Sequence, residues 1–149
     1  MAVSIKITGV EELKSRLATA GKIVSTEIAT EAAKEGGETL NMYAQLNVLS
    51  NFTMRSWKLH GSFKTVVTRA GNVRAGSYGI SYNKIHEYGG IITPKTKNYL
   101  SFMGSDGVVK FIKRAVIPAR PYLRPAYDEH RDDIEAAMGK VVYNYLKEI

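Results

Sequence analysis

Two hydrophobic periods divide the start of the chain. Val3, Ile5 and Ile7 alternate with Ser4, Lys6 and Thr8, which predicts a short strand with one buried face. Leu13, Leu17, Ala20, Val24, Ile28 and Ala32 then recur at helical spacing, and Leu40, Tyr43, Ala44 and Leu46 resume the same stripe. Thr8 followed by Glu11 fits a capping box at the helix start, with Val10 just beyond it. Gly36-Gly37 interrupts the stripe, and two adjacent glycines cost about 2 kcal/mol against alanine in a helix. The pattern predicts one long helix over 10–46 with a weak point at Gly36. Asn47 to His60 has no periodicity and reads as an irregular, mobile segment.

Strands are predicted over 63–69 and 73–82, joined across Ala70-Gly71-Asn72, with Gly76 and Gly79 weakening the second or marking a bulge. Asn83 fits the cap of one helical turn, Lys84 to Tyr88, stopped by Gly89-Gly90. Ile91 to Thr93 reads as extended and Pro94-Lys95-Thr96-Lys97 as an exposed loop. A hairpin follows, 99–103 with 108–117, across Gly104-Ser105-Asp106-Gly107, where Asp-Gly is a strong turn signal.

Ile117-Pro118-Ala119-Arg120-Pro121-Tyr122-Leu123-Arg124-Pro125-Ala126 is the stretch around which the rest is organised. Each proline fixes φ and lacks an N–H, and each pushes the residue before it away from the helical region. Ile117, Arg120 and Arg124 are therefore expected to be non-helical, and Pro125 to be the first residue of a C-terminal helix. Ile134, Met138, Val141 and Tyr145 mark the buried face of that helix, predicted over 125–147. The expected architecture is a single α+β domain spanning 1–149. An antiparallel sheet carries the long N-terminal helix and the C-terminal helix on one face, packed through Leu13, Leu17, Val24, Ile28, Ile134, Met138, Val141 and Tyr145.

Charge adds a second pattern. The formal net charge is +7, and between Arg55 and Arg124 the only acids are Glu87 and Asp106, against thirteen lysines and arginines. A basic middle between slightly acidic helices predicts one positive face, suited to nucleic acid or an acidic protein surface. The plainer reading is a solvated sheet protected at its edges by lysine. Glu87, scarce among bases, is expected to accept a bidentate pair from Arg120 or Arg124 on the stiff corner, the alternative being an exposed carboxylate with no fixed partner.

Candidate chemistry is sparse. With no cysteine there is no disulfide, thiol nucleophile or Cys-ligated zinc, which fits a reducing compartment. No signal-peptide pattern and no apolar run of membrane-spanning length is seen. The glycine pairs lack the phosphate-loop spacing, and His86-Glu87 lacks the second histidine of the zinc-protease helix. His60, His86 and His130 are scattered and read as packing or surface residues. Asp132, Asp133 and Glu135 lie on successive helix faces and do not converge. No catalytic residue, cofactor or metal site is expected, and a small nuclease-like or toxin-like enzyme would need an acid cluster that the sequence does not supply.

Taken together, Tyr82-Asn83-Lys84-Ile85-His86-Glu87-Tyr88-Gly89-Gly90-Ile91-Ile92 and the proline corner resemble a motif pair of the tail-completion and head–tail joining proteins of tailed bacteriophages, a group that includes minor tail and virion-morphogenesis proteins. Such proteins typically carry a His/Val-Glu-Tyr/Phe-Gly segment, an aromatic-rich hairpin, then Pro-x-Arg-Pro-Phe/Tyr-Leu-x-Pro-Ala entering a C-terminal helix. The likeness covers roughly residues 40–130, and the second motif is the more specific. It departs at 51–62, where Thr53-Met54-Arg55-Ser56-Trp57 lacks the glycine of the group's Thr-Gly-x-Leu-x-x-Ser segment.

The resemblance implies a non-enzymatic structural role without cofactors. Copies would form an oligomeric ring at the virion neck or head-proximal tail, assembled in the bacterial host cytoplasm. Connector and tail-tube or tail-terminator proteins would be its neighbours, and DNA would pass through without sequence-specific binding. The motif positions it marks are Glu87, Tyr88, Gly89, Gly90, Arg120, Pro121, Tyr122, Arg124 and Pro125. Tyr88, Arg120 and Tyr122 are residue types enriched at interface centres, though both tyrosines could equally close the core beneath the corner. Lys95, Lys97, Lys110, Lys113 and Arg114, with Arg69 and Arg74, are expected to face DNA or acidic partners. The alternative function is a basic nucleic-acid-binding module without catalytic activity.

Overall fold

A computed structural model describes residues 15, 18–19, 21, 27–52, 57–69 and 72–148. The expected strand at 3–7, the capping box, and the stripe positions Leu13, Leu17 and Val24 lie outside the described residues. Helix α1, Ala29–Asn51, runs unbroken through Gly36-Gly37 and continues five residues past the predicted end at Leu46. The glycines are not a weak point, because each lets a different layer approach. A Cβ on Gly36 would lie 2.7 Å from Met138 Cγ, and one on Gly37 would lie 2.9 Å from Thr65 Cγ2 and 3.2 Å from Ala75 Cβ. The helix is thus held from two sides, and tertiary packing outweighs glycine's poor helix propensity.

On the Gly37 side lies the antiparallel ribbon of β1 (Phe63–Val67) and β2 (Val73–Ser77). Asn41, buried in α1, donates from Nδ2 to Thr65 Oγ1 at 3.0 Å. The β2 strand stops short of the predicted Tyr82, with Gly76 and Gly79 both at positive φ (148° and 72°). On the Gly36 side lie two C-terminal helices, α3 (Leu123–Glu129) and α4 (Arg131–Lys147), where one helix was expected. They part at His130, whose ring stacks on Tyr43 of α1 at 3.5 Å between centroids and 3° between planes. Tyr43 Oη donates to Asp133 Oδ2 at 2.7 Å, fixing the start of α4 at the same point.

The remaining elements are the short helix α2 (Asn83–Tyr88) and two more antiparallel ribbons, β3 (Gly90–Ile92) with β6 (Ala115–Ile117), and β4 (Leu100–Met103) with β5 (Val109–Ile112). The predicted strand over 108–117 is therefore two strands: the chain leaves β4 at Lys113-Arg114 and pairs with β3 instead. The Asp-Gly turn forms as the sequence predicts, with Gly107 at φ 74° and Gly104 N–H donating to Val108 O at 2.9 Å. The protein is α+β, with a long helix, small antiparallel sheets and C-terminal helices packed against the long helix.

Ala44, Val48, Leu59, Phe63, Tyr122 and Ala126 form the main buried cluster, with Leu40, Tyr43, Phe52, Tyr82 and Leu123 packed around it. Ile28 and Ile134 are buried as their spacing predicts. Met138 and Val141 are only half-buried and Tyr145 is exposed.

The two glycines are expected to respond differently to enlargement. Helix propensity favours alanine by about 1 kcal/mol at either position, while overpacking costs about 1–3 kcal/mol. Met138 is unbranched and can move aside, whereas Thr65 and Ala75 are fixed on a strand pair. Gly37→Ala should lower the denaturant midpoint, and Gly36→Ala should leave it near or above that of the unaltered chain.

Candidate functional site

The two motif segments meet in space, and the side chain that joins them is Glu87. Helix α2 ends at Gly89, whose φ of 69° turns the chain into β3. A Cβ there would stand 2.7 Å from Ala119 N and 3.0 Å from Ile117 O, so the turn lies directly against the proline corner. Gly90 pairs with Ile117 in the β3–β6 ribbon, and Arg120 N–H donates to His86 O at 2.8 Å. This close backbone approach carries the Glu87 carboxylate under the first turn of α3.

There it accepts three backbone N–H bonds: Tyr122 at 2.8 Å and Leu123 at 3.0 Å on Oε2, and Arg124 at 2.9 Å on Oε1. A helix start leaves four amides without intrahelical partners. Here three are held by one buried carboxylate and the fourth belongs to Pro125, which has no N–H. The expected pairing of Glu87 with an arginine side chain is not formed. Arg124 directs its guanidinium to Asp128, at 3.9 Å on the exposed helix surface, and Arg120 lies over the Phe52 ring, 5.9 Å from its centroid. The carboxylate instead takes donors that need no side-chain ordering and that carry the positive end of the helix dipole. The same bonds explain why α3 begins at Leu123 and holds Arg124 in a helical conformation, although Arg124 precedes a proline.

Tyr122 lies in the core, 3 % exposed, with its ring edge-on to Phe63 at 5.6 Å and its hydroxyl donating to Asn83 O at 3.2 Å. Burial first, then the Glu87 charge, push its phenol up to about 12. His86 packs against Phe52 and Tyr82, and burial followed by the Arg120 charge lowers its pKa. Tyr88 is on the opposite side of α2, 75 % exposed. Of the two tyrosines, one closes the core and one remains available to a partner.

Two contributors escaped the sequence reading. Asn47 and Asn51, four residues apart at the end of α1, donate from Nδ2 to Tyr122 O at 3.0 Å and Pro121 O at 3.2 Å. Their spacing was the available signal, hidden by reading 47–60 as irregular. The corner is thus held by α2 on one side and by α1 on the other.

The basic residues gather elsewhere. Lys95 and Lys97 precede β4, Lys110 lies on β5, and Lys113 and Arg114 follow it, all exposed on one projecting ribbon. The contacts of β4 and β5 are chiefly with each other, while α1 contacts α3, α4, β1 and β2 extensively. Phe102, Met103, Val109 and Phe111 on this ribbon are all exposed. Lys110 pairs with Asp106 at 3.0 Å, and this contact, then the Val108 N–H, hold the Asp106 carboxyl below its usual range. Arg69 and Arg74 belong to the separate β1–β2 ribbon. Among the described residues, no three His, Asp or Glu side chains gather as a metal-binding group, and no helix is long and apolar enough to cross a membrane.

Comparison with protein-family models, with curated proteins and with solved structures finds no match to this chain.

Two measurements test the clamp. Glu87→Gln keeps the shape but turns an NH2 group towards amide donors, and should cost about 2–4 kcal/mol in denaturant unfolding, against less than about 0.5 kcal/mol for exposed Lys97→Ala. For Tyr122, a folded pKa above the unfolded value of 10 means stability fully present below pH 10 and lost as pH rises towards about 12. The stability difference between the unaltered chain and Tyr122→Phe should be constant to pH 10 and shift against the tyrosine form above it.

Proposed function

We propose that this chain is a structural virion protein of a tailed phage or prophage, acting in head–tail joining or tail completion as a ring-forming subunit around the DNA path. The observation that supports the reading is the clamp. The two segments that resemble the phage motif pair, 34 residues apart at Glu87 and Pro121, form one unit in which Glu87 caps the helix that follows the prolines. Rigid presentation of a corner suits assembly, since less entropy is lost when an interface closes on it. In this role its partners are other copies of itself, connector proteins, and tail-tube or tail-terminator proteins. It resides at the neck or head-proximal tail, assembles in the host cytoplasm, and performs no catalysis.

The gathering of five cations on one ribbon favours a second reading, a nucleic-acid-binding module. The two part on salt: a dedicated DNA binder that neutralises several phosphates loses affinity steeply with ionic strength as an isolated monomer.

The chain should be found in purified particles made by the genome that encodes it. Deleting its gene should leave DNA-filled heads and tails unjoined. Reversing Lys95, Lys97, Lys110 and Lys113 together to glutamate should impair assembly or DNA retention. Particles that lack the chain yet remain infectious would overturn the proposal.

A further inference from the structure

The β4–β5 ribbon is an unusual element for a folded protein. A two-stranded hairpin is marginal in water without a surface to pack on, and this one carries Phe102, Met103, Val109 and Phe111 into solvent. Met103, Val109 and Phe111 share one face of the ribbon and Phe102 lies on the other, and contiguous exposed apolar surface such as the first face marks an interaction site. At its base the arm is cationic, with Lys95, Lys97, Lys113 and Arg114, and near its turn Lys110 pairs with the arm's single acid, Asp106.

A complementary surface lies on α1. Glu31, Glu35, Glu38, Met42, Leu46 and Leu49 fall at helical spacing on one side of the helix, and all six are exposed. The stripe is acidic at its N-terminal half and apolar at its C-terminal half. It spans about 27 Å at 1.5 Å per residue, and the paired strands Leu100–Met103 and Val109–Ile112 are each about 13 Å long, enough to lie along half of it. Each surface is charged at one end, with opposite signs on the two, and apolar at the other.

We propose that the β4–β5 arm of one copy docks along the exposed α1 stripe of a second copy, with Lys97, Lys113 and Arg114 against Glu31, Glu35 and Glu38, and Phe111 and Met103, which share one face of the ribbon, against Met42 and Leu46. Such a contact joins two different surfaces, so each copy offers one of each and successive copies close a ring or extend a filament. The apolar side chains among the cations favour a protein occupant over a phosphate backbone. The inference rests on the ring-forming role proposed above and names the surfaces that make it.

The test uses the full chain. One variant carries Lys97→Glu, Lys113→Glu and Arg114→Glu; another carries Glu31→Lys, Glu35→Lys and Glu38→Lys. All six positions are exposed, and unfolding curves check that each variant folds. In sedimentation at millimolar concentration the unaltered chain should be oligomeric and each variant alone monomeric. Mixing the two should restore the oligomer, because each reversed surface then meets its complement. As a second measurement, Met42→Cys with Phe111→Cys in this cysteine-free chain should give disulfides between copies under mild oxidation. An oligomer that survives both reversals, a mixture that stays monomeric, or arm reversals that abolish only duplex DNA binding would each overturn the docking. So would an unaltered chain that is monomeric and uncrosslinked. The virion role is judged separately, by the presence of the chain in particles, so the two ideas can fail independently.

Discussion

One carboxylate determines how the second half of this protein is built. Glu87 bonds three consecutive amides, and each charge-assisted bond of that kind contributes about 1.5–3 kcal/mol in a folded protein. The contribution is large because the alternative is poor: α3 is only seven residues long and could not persist by propensity alone. With the clamp in place, the prolines do not need to end or begin the helix by themselves. They restrict the chain before and after it, and the carboxylate sets where it starts.

The same economy of backbone space operates in the other half. Gly36 and Gly37 let α1 serve as a middle layer, with α4 close on one side and the β1–β2 ribbon on the other. Tyr122 then links the two halves. Its ring fills the cluster around Val48 and Phe63, its N–H is held by Glu87, and its carbonyl oxygen is held by Asn47. A residue at the centre of the core is therefore also part of the corner, which couples the corner's geometry to packing rather than to the surface.

The local rules were legible where the signal was local. The Asp106-Gly107 turn, the stop at Gly89 and the paired ribbon either side of residues 70–72 all follow from residues adjacent in sequence. Glu87 was recognisable as the scarce acid that must find a partner, but counting charges offers only side chains as partners, and its donors are main-chain amides. The break at His130 has no glycine or proline to announce it; it depends on Tyr43, 87 residues earlier, stacking on the imidazole. Asn47 and Asn51 were hidden for the same reason, since their value lies in a carbonyl far along the chain. Tertiary contacts decided each of these points.

The way the arm joins the body has a mechanical consequence. The chain enters and leaves the arm through the paired strands β3 and β6, so tension on the arm is passed to the two together. At the far end, β3 begins one residue after Gly89 and β6 ends at Ile117, one residue before the first proline of the corner. The pull is thus delivered to two points that Glu87, Arg120 N–H and the Gly89 contact already tie to each other. A force transmitted through the arm would be borne by a short closed frame of hydrogen bonds and not by the long helix or the buried cluster.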